Sequence, residues 1–216
     1  MDGPTRIKKL ILDGEGLTLD FKKTISNYEK IARTLSAFAN TSGGKLLVGV
    51  EDNGDVAGVS SEEEEKFMLA VAGNDYCNPP IVPRFEEVYV DNRMVLLAEI
   101  DESTTKPHFA LGEDKKWWGY IRVNDKSVLA SPILIQVMKK QRDQAHILLE
   151  YTEREKMLMD YLNEHGSITL RAYCQLVGLN RKKASRALVN LILMGLLEIQ
   201  TTEKSEFYTA SNKSSL

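Results

Sequence analysis

Residues 37–54 read AFANTSGGKLLVGVEDNG, a helix end, a strand and a turn in direct succession. Apolar residues precede this stretch at helical spacing: Tyr28, Ile31, Leu35 and Phe38. The segment from Asn40 to Gly44 ends the helix, because glycine tolerates the left-handed conformation of a helix terminus. KLLVGV is then a continuous apolar run of strand length, typical of a strand buried on both faces. Asn53-Gly54 marks a tight turn, and VAGV at 56–59 is predicted as the returning strand.

Residues 15–23, EGLTLDFKK, predict a strand directly ahead of this helix. Because a strand alternates its faces with period two, three apolar residues share a face that we expect in the core: Leu17, Leu19 and Phe21. Asp20 and Lys22 share the opposite face, which is either a solvated face or a site. Ser26 followed by Glu29 is a capping-box pattern and predicts that the helix begins there.

The following residues mix helices and hairpins. SSEEEEKFMLAVAG predicts a helix with acids in its first turn, where the helix dipole favours them. EEVYV and MVLLAEI flank a turn at 91–93 and predict a hairpin, and WWGYIRV predicts a further strand with Trp118, Tyr120 and Arg122 on one face. Only one of the two adjacent tryptophans, Trp117 and Trp118, is expected to face the core. Hairpins outnumber βαβ units and no phosphate-binding glycine motif occurs, so we predict an α+β domain with a mixed sheet.

The last third of the chain has a different pattern. PILIQVMKKQRDQAHILLE predicts a helix over 132–150, which is either a linker between two domains or a dimer surface. Capped helical segments then begin near Thr152, Thr169 and Asn180, and a short hairpin follows the last of them. This layout is typical of a winged helix-turn-helix. Its core is predicted from six apolar residues: Leu176, Leu179, Leu188, Leu191, Ile192 and Leu196.

Composition narrows the classes of function. The 216 residues carry 28 Lys and Arg against 31 Asp and Glu, a net charge of −3, so nucleic-acid binding would depend on local patches. Cys77 and Cys174 match no metal or redox spacing, and the three histidines form no ligand cluster. No apolar run is long enough to cross a membrane and the N-terminus is not signal-like, so we expect a cytoplasmic protein without a membrane partner.

The strongest local patch begins the third helix of the last segment. Five residues there are candidates for nucleic-acid contact: Arg181, Lys182, Lys183, Ser185 and Arg186. In a helix-turn-helix, the start of the second motif helix meets base edges, and Arg can read guanine with two hydrogen bonds. The alternative is a solvated basic face. In the hairpin, Lys204 offers a phosphate contact, but the flanking Glu203 and Glu206 repel phosphate.

Four pieces of the first part carry a family resemblance: GEGLTLDFK at 14–22, LSAFANTSGGKLLVGVEDNGDVAG at 35–58, KPHF at 106–109 and YIRVNDKS at 120–127. Together they resemble the Alba-like domain of the Schlafen superfamily over about residues 10–131. The family's first motif is Glu, four residues, Glu-Phe-Lys; this chain keeps Glu15, Phe21 and Lys22 but has Asp20 for the second Glu. Asn124 stands where the family usually has Gly.

The resemblance implies a nucleic-acid-binding fold, which in bacteria often precedes a winged helix in proteins that look like transcriptional regulators. Some eukaryotic Schlafen proteins with a similar domain cleave RNA, and their metal-binding carboxylates would fall on Glu15, Asp20 and Asp52. Such a cluster would bind Mg²⁺ or Mn²⁺ and activate water, with Lys22 holding a phosphate nearby. The alternatives are that Asp20 pairs with a lysine and that Asp52 is only a turn residue.

Aromatic and basic residues near position 116 suggest a second surface for contact with nucleic acid. Lys116, Trp118 and Arg122 resemble a stacking and charge surface for single strands. The residues Asn40 to Gly44 offer amides and hydroxyls to phosphate, or their glycines simply permit the turn.

The sequence therefore predicts three segments: a Schlafen-type Alba-like domain at 1–131, a linker helix at 132–150 and a winged helix-turn-helix at 151–216. The expected function is DNA binding, with transcriptional regulation as its purpose and a homodimer as its state. RNA is the other candidate partner. The alternative functions are a nuclease that uses Glu15, Asp20 and Asp52 with Mg²⁺ or Mn²⁺, and an interaction module. The only cofactor that the sequence suggests is the Mg²⁺ or Mn²⁺ of the nuclease alternative.

Overall fold

The computed structural model describes residues 2–144 and 152–211 of the chain. The chain divides into two compact units, Met1–Ala130 and Ser131–Leu216. Within the described residues, no helix combines the length and the apolar character that crossing a bilayer requires.

The first unit mixes helices and strands, as predicted. In chain order its elements are α1 (Gly3–Asp13), β1 (Leu19–Lys22), α2 (Tyr28–Asn40), β2 (Gly44–Val48), α3 (Glu62–Asp75), β3 (Cys77–Asn78), β4 (Arg84–Val90), β5 (Arg93–Ile100), β6 (Phe109–Leu111), β7 (Trp117–Val123) and β8 (Lys126–Leu129). One sheet has the order β1-β2-β5-β4, with β1 parallel to β2 and the other pairs antiparallel. The second sheet, β3-β6-β7-β8, is antiparallel throughout. The prediction of an α+β domain with a mixed sheet is therefore confirmed.

Strand β2 is the centre of this unit. Leu46 and Val48 pack with α2 and α3, while Leu47 packs on the opposite face with Ile7 of α1. The KLLV run is thus buried on both faces, as its continuous apolar pattern predicted. Helix α2 also contacts β6 and β7, so it lies between the two sheets.

Gly43, just ahead of β2, and Gly44, its first residue, are required by close packing. Gly43 has φ +69°, and a Cβ there would lie 2.7 Å from the carbonyl oxygen of Ile100. A Cβ on Gly44 would lie 2.3 Å from the ring of Phe38. The amide of Gly43 donates to the carbonyl of Phe38 at 2.9 Å, so the structure accounts for these glycines by the turn from α2 into β2.

Three local expectations for the first unit were wrong. Helix α2 is capped by Asn27, whose side chain accepts from the Lys30 amide, and not by Ser26. Leu19 and Phe21 are buried as predicted, but Leu17 is exposed because β1 begins only at Leu19. The predicted returning strand at 56–59 is reduced to one bridge between Val50 and Val56.

The second unit consists of helices followed by a hairpin. Its elements are α4 (Pro132–Arg142), α5 (Glu153–His165), α6 (Leu170–Val177), α7 (Arg181–Leu193), β9 (Leu197–Thr201) and β10 (Glu206–Ala210). The predicted caps are present: Thr152 forms a capping box with Glu155, Thr169 accepts from the Ala172 amide, and Asn180 accepts from the Lys183 amide. Gly178 adopts the left-handed conformation that ends α6.

The core of this unit joins all of its helices. Leu188 and Leu191 are fully buried, and the other four predicted core residues are partly buried against them: Leu176, Leu179, Ile192 and Leu196. Ile168, ahead of α6, forms a bridge with Tyr208 of β10, which ties the hairpin to the helices.

The helix predicted over 132–150 is shorter than expected. It ends at Arg142, and residues 145–150 of that prediction lie outside the described residues. Ile133 and Val137 belong to the core of the second unit, and Lys140 donates to Asn190 of α7 at 3.0 Å. The described part of this helix therefore packs as an integral element of the second unit, because its apolar side is covered by α7.

Candidate functional site

The carboxylates of Glu15 and Asp20 lie side by side at the start of β1. Glu15 Oε1 accepts the amide of Phe21 at 2.7 Å, which folds the segment before the strand back onto it. Burial and a hydrogen bond with Asp20 raise the pKa of Glu15, against the opposing effect of the Phe21 amide. The two carboxylates therefore form a compact acidic pair at the start of β1.

Two cations flank the buried Asp20 carboxylate. Lys22 Nζ lies 3.2 Å from Asp20 Oδ2 and also donates to the carbonyl of Phe21 at 2.6 Å. Arg122 lies 3.9 Å from Asp20 Oδ1. The pairing of Asp20 with Lys22 agrees with the alternative in which this carboxylate serves an ion pair.

Arg122 was predicted to contact nucleic acid, but the structure places its side chain in the interior, with 2% exposed. Its Nη2 donates to the carbonyls of Gly16 at 2.8 Å and Leu19 at 3.3 Å. Burial lowers the pKa of Arg122, and the neighbouring Asp20 opposes this effect. Arg122 therefore fastens the Glu15 segment to β7, and it is not part of an exposed binding surface.

Asp52 does not join the other two predicted carboxylates. It lies exposed in the turn after β2, beside Asn53 and Gly54. Among residues 2–144 and 152–211, no group of three or more His, Cys, Asp or Glu side chains is arranged to hold a metal ion. With Asp20 engaged by Lys22 and Arg122, the residues do not fit the three-carboxylate Mg²⁺ or Mn²⁺ site that the resemblance implied.

A buried hydrogen-bond network joins the end of α2 to the second sheet. Asn40 Oδ1 accepts the amide of His108 at 2.8 Å, and its Nδ2 donates to the carbonyls of His108 and Tyr120 at 2.8 Å each. The His108 ring contacts the Pro79 carbonyl at 2.8 Å and Ser103 Oγ at 2.6 Å. Asn40 ends the AFAN motif and His108 belongs to KPHF, so these bonds join the two motifs. They also hold α2 against β7.

Trp118 and Tyr120 form an aromatic surface on β7. They line a pocket together with Lys30 and Arg33 of α2 and with three acidic residues, Glu29, Glu113 and Asp114. The guanidinium of Arg33 lies over the Tyr120 ring, 5.9 Å from its centroid. Asp114 fixes the indole, because Trp118 Nε1 donates to its two carboxylate oxygens at 3.1 and 3.2 Å. We call these four residues, Lys30, Arg33, Trp118 and Tyr120, the β7 pocket.

The β7 pocket differs in composition from the predicted surface. Lys116 is exposed but points to Asp114, 3.8 Å away, and Arg122 is buried. Neither tryptophan is in the core, since Trp117 is 43% and Trp118 40% exposed, so the expectation that one would be buried was wrong. The cations of the pocket come from α2, and the spacing of Lys30 and Arg33 by three residues was the sequence signal for them.

The predicted basic residues of α7 share one exposed region. Arg181, Lys182, Lys183 and Arg186 are exposed, and Ser185 is half-buried. In the described part of the chain, none of the four cations forms an ion pair with a carboxylate. No acidic residue occupies the first turn of α7. This region is therefore a concentrated, unneutralised positive patch at a helix start.

The hairpin that follows is close to this patch in sequence and differs in charge. Lys204 is exposed at its tip, and Glu206 Oε1 accepts the hydroxyl of Tyr208 at 2.6 Å. Arg181, Glu206 and Tyr208 line a common pocket with α6 residues. The Glu206 carboxylate is thus engaged by the fold.

Comparison with known proteins identifies the first unit. No curated protein matches the chain. A solved structure of the DIP2311 protein from Corynebacterium diphtheriae shares 19% identity with a TM-score of 0.46, over 66% of this chain and 32% of that one. The N-terminal domain of a RecG-related protein from Nitrosomonas europaea shares 21% identity with a TM-score of 0.46, over 70% of this chain and 97% of that domain. The chain spans about a third of the length of the first of these proteins.

The family described as Schlafen, AlbA_2 matches residues 15–131, from the Glu15 segment to the end of the second sheet. The match includes Glu15, Asp20, the AFANTSGG stretch, KPHF and the YIRV strand, which are the segments joined by the Asn40 and Arg122 contacts. More than half of the chain is covered, and the chain therefore belongs to the Schlafen AlbA_2 family.

Proposed function

We propose that this protein is a DNA-binding transcriptional regulator whose second unit is a winged helix-turn-helix. Membership of the Schlafen AlbA_2 family points to nucleic-acid binding in general. In the second unit, α6 and α7 are separated by a short turn that contains Gly178, and a hairpin follows α7. This order supports the motif, in which α7 is the recognition helix and the hairpin is the wing.

The positive patch at the start of α7 is the observation that carries the proposal. A helix N-terminus bears partial positive charge, so each cation there costs roughly 0.3–1 kcal/mol of folding free energy. Helix α3 follows the usual rule, with Glu62 to Glu65 in its first turn. Helix α7 reverses it with Arg181, Lys182 and Lys183. Because this arrangement opposes folding stability, a phosphate backbone is the partner that accounts for it.

The β7 pocket supplies a second binding surface, with unpaired bases as its ligand. Trp118 and Tyr120 present aromatic faces on which bases stack, and Lys30 and Arg33 offer charge to phosphates, although Glu29, Glu113 and Asp114 also line the pocket and oppose phosphate there. In the described residues neither cation has a carboxylate partner. This makes RNA or an opened DNA strand the ligand class for the first unit, and duplex DNA the ligand of α7.

Nuclease activity is the weaker proposal. The acidic pair of Glu15 and Asp20 lacks a third carboxylate within the described chain, and Asp20 already has two cationic neighbours. A homodimer remains part of the proposal, because symmetric DNA-binding proteins read paired half-sites.

The test is the salt dependence of duplex DNA binding by the full chain, measured by fluorescence anisotropy. Replacing Arg181, Lys182 and Arg186 by Ala is expected to weaken binding, by about 1–3 kcal/mol for each side chain that reads a base. The slope of affinity against salt should fall by roughly one for each phosphate-binding side chain that is removed.

Matched controls are Arg154→Ala and Lys156→Ala on α5, which remove exposed cations from the same unit. They should leave the DNA affinity within experimental error of the unchanged chain. Equal losses of affinity for the α5 and α7 variants would mean that the effect depends only on net charge. That outcome would contradict the assignment of α7 as the recognition helix. Unchanged binding in the α7 variant would contradict the proposal directly.

A further inference from the structure

The first sheet ends in a long strand whose outer side is unpaired in the described structure. Strand β4 has seven residues, while the other edge strands of the two four-stranded sheets, β1, β8 and β3, have four, four and two. Apart from its ladder with β5, β4 makes no backbone–backbone hydrogen bond to another described segment. A free edge of this length is a template for a further strand.

Strand β4 lacks several of the usual protections of such an edge, although three of its seven residues, Arg84, Glu86 and Glu87, are charged. Its sequence, RFEEVYV, contains neither proline nor lysine. Its register with β5 is continuous from Arg84 to Val90, so no bulge twists the edge away. The backbone of this edge is therefore open to pairing along its full length.

Exposed aromatic side chains line one face of the edge. Phe85 and Tyr89 lie on the face of β4 that bears α3, and they are 36% and 61% exposed. Phe67 of α3 is 62% exposed, one residue from Lys66, which reaches β4. Phe85 and Tyr89 stand two residues before and two residues after Glu87, so they are placed symmetrically about it.

The charges of β4 are already neutralised within the chain. Glu86 pairs with Arg6, Glu87 with Lys66, and Arg84 with Asp101. An approaching strand therefore meets no uncompensated charge of either sign along this edge. A partner recognised by charge, such as a basic peptide, has nothing here to bind.

We propose that a second copy of this chain pairs antiparallel with β4, about a two-fold axis at Glu87. In that register Phe85 stands opposite Tyr89 of the partner subunit, and the relation holds in both directions. Glu87 then stands opposite Glu87 of the partner subunit, where like charges oppose pairing, and each carboxylate relies on the ion pair with Lys66 of its own chain. Aromatic residues that face each other across antiparallel strands stabilise pairing. The symmetric placement of Phe85 and Tyr89 makes the edge complementary to itself, which is the requirement of a two-fold interface. The two four-stranded sheets, one from each copy, then form one continuous sheet.

This inference assigns an interface to the homodimer that forms part of the proposed function, but the interface is measured without nucleic acid, so its failure is distinguishable from a failure of DNA binding. The full chain should sediment as a dimer of 24.3 kDa subunits across a dilution series. Tyr89→Lys puts a protecting charge on the edge at an exposed position and should give the monomer mass. Leu129→Lys is the matched control, because Leu129 is 56% exposed on the edge strand β8, and it should remain dimeric.

Crosslinking tests the register in a Cys174→Ser background, with Cys77 left in place because it is buried. Glu87→Cys lies on the proposed axis and should crosslink to its own copy with a short bismaleimide. Arg84→Cys should not, since the two copies of position 84 are about 20 Å apart in this register at the rise of a strand. A monomeric unchanged chain, a dimer that survives Tyr89→Lys, or equal crosslinking at both positions would each overturn the proposal.

Discussion

The guanidinium of Arg122 lies over the ring of Phe38, with its carbon 4.8 Å from the ring centroid. This stacking joins β7 to α2, and the same guanidinium reaches the carbonyls ahead of and within β1. Arg122 thus connects the acidic Glu15 segment, the AFAN helix and the YIRV strand in one buried contact. Arg122 therefore positions these three segments, whereas its charge had suggested a contact with nucleic acid.

Arg122→Met is expected to lower the free energy of unfolding of the first unit by about 3 kcal/mol, because the buried Asp20 carboxylate loses the charge of its neighbour Arg122. Urea unfolding followed by tryptophan fluorescence measures this, since both tryptophans, Trp117 and Trp118, lie in the first unit. Lys116→Met is the control and should change stability by less than about 0.5 kcal/mol, because its side chain is exposed. Equal effects would mean that Arg122 is not a structural anchor.

Asn40→Ala should lower the stability of the first unit by about 3 kcal/mol. The change removes the side-chain partner of the buried His108 amide and of the Tyr120 carbonyl, and it removes one of the two hydrogen bonds to the His108 carbonyl. Ser36→Ala removes one hydrogen bond to the same His108 carbonyl, at 2.9 Å, and should cost only about 1 kcal/mol. The same unfolding assay compares the two, and a larger loss of stability for Ser36→Ala would contradict the central role of Asn40.

The stability of the first unit should decrease as the pH falls below about 6.5. Burial lowers the pKa of His108 below its ordinary value of 6.5, so the unfolded chain takes up the proton first. The stabilisation that depends on neutral His108 is complete above the pKa of this residue in the unfolded chain. It is lost as the pH falls towards the lower pKa of His108 in the folded protein. The decrease is at most about 1.4 kcal/mol per pH unit.

Unfolding series at pH 7.5, 6.5 and 5.5 would measure this dependence. His108→Gln should reduce the slope, whereas His165→Gln, an exposed position in the other unit, should keep it. A slope that is the same in all three proteins would show that His108 is not its source.

Trp118→Ala should weaken binding of single-stranded oligonucleotides by about 1–3 kcal/mol for each base that stacks on the indole. Trp117→Ala is a close control, because Trp117 is similarly exposed but points to the opposite face of β7. Fluorescence anisotropy of a labelled strand would separate the two variants. Equal losses of affinity, or none, would remove the β7 pocket from the proposed interface.

Labelled RNA and DNA are expected to remain intact when incubated with the protein and Mn²⁺, because Glu15, Asp20 and Asp52 do not converge. Asp52→Ala should change neither binding nor fragment pattern, since Asp52 lies in an exposed turn. Metal-dependent shortening that disappears in Asp52→Ala would restore the nuclease alternative. Gel analysis with Mn²⁺ and with chelator distinguishes the outcomes.

Many elements of the fold follow from local patterns in the sequence, but α1, β3, β6 and β8 were not predicted, and β1, α2 and α4 have ends that differ from those expected. Capping by Thr152, Thr169 and Asn180 was predictable because a cap involves residues two or three apart. The two-sided burial of KLLV followed from its unbroken apolar run. The positive start of α7 was equally local, since Arg181, Lys182 and Lys183 are consecutive in the sequence and follow the predicted cap Asn180.

The roles of the charged residues depend instead on how distant segments meet in space. Arg122 and Gly16 are 106 positions apart, and no short-range pattern distinguishes a buried arginine from an exposed one on an alternating strand. Asp20 and Asp52 each follow a plausible motif, but their separation depends on how β1, β2 and the following turn are placed. The position of β4 at the edge of its sheet likewise depends on distant pairings, because β5 lies between β4 and β2 and no other described strand pairs with β4. These properties arise from long-range contacts, for which local sequence carries no signal.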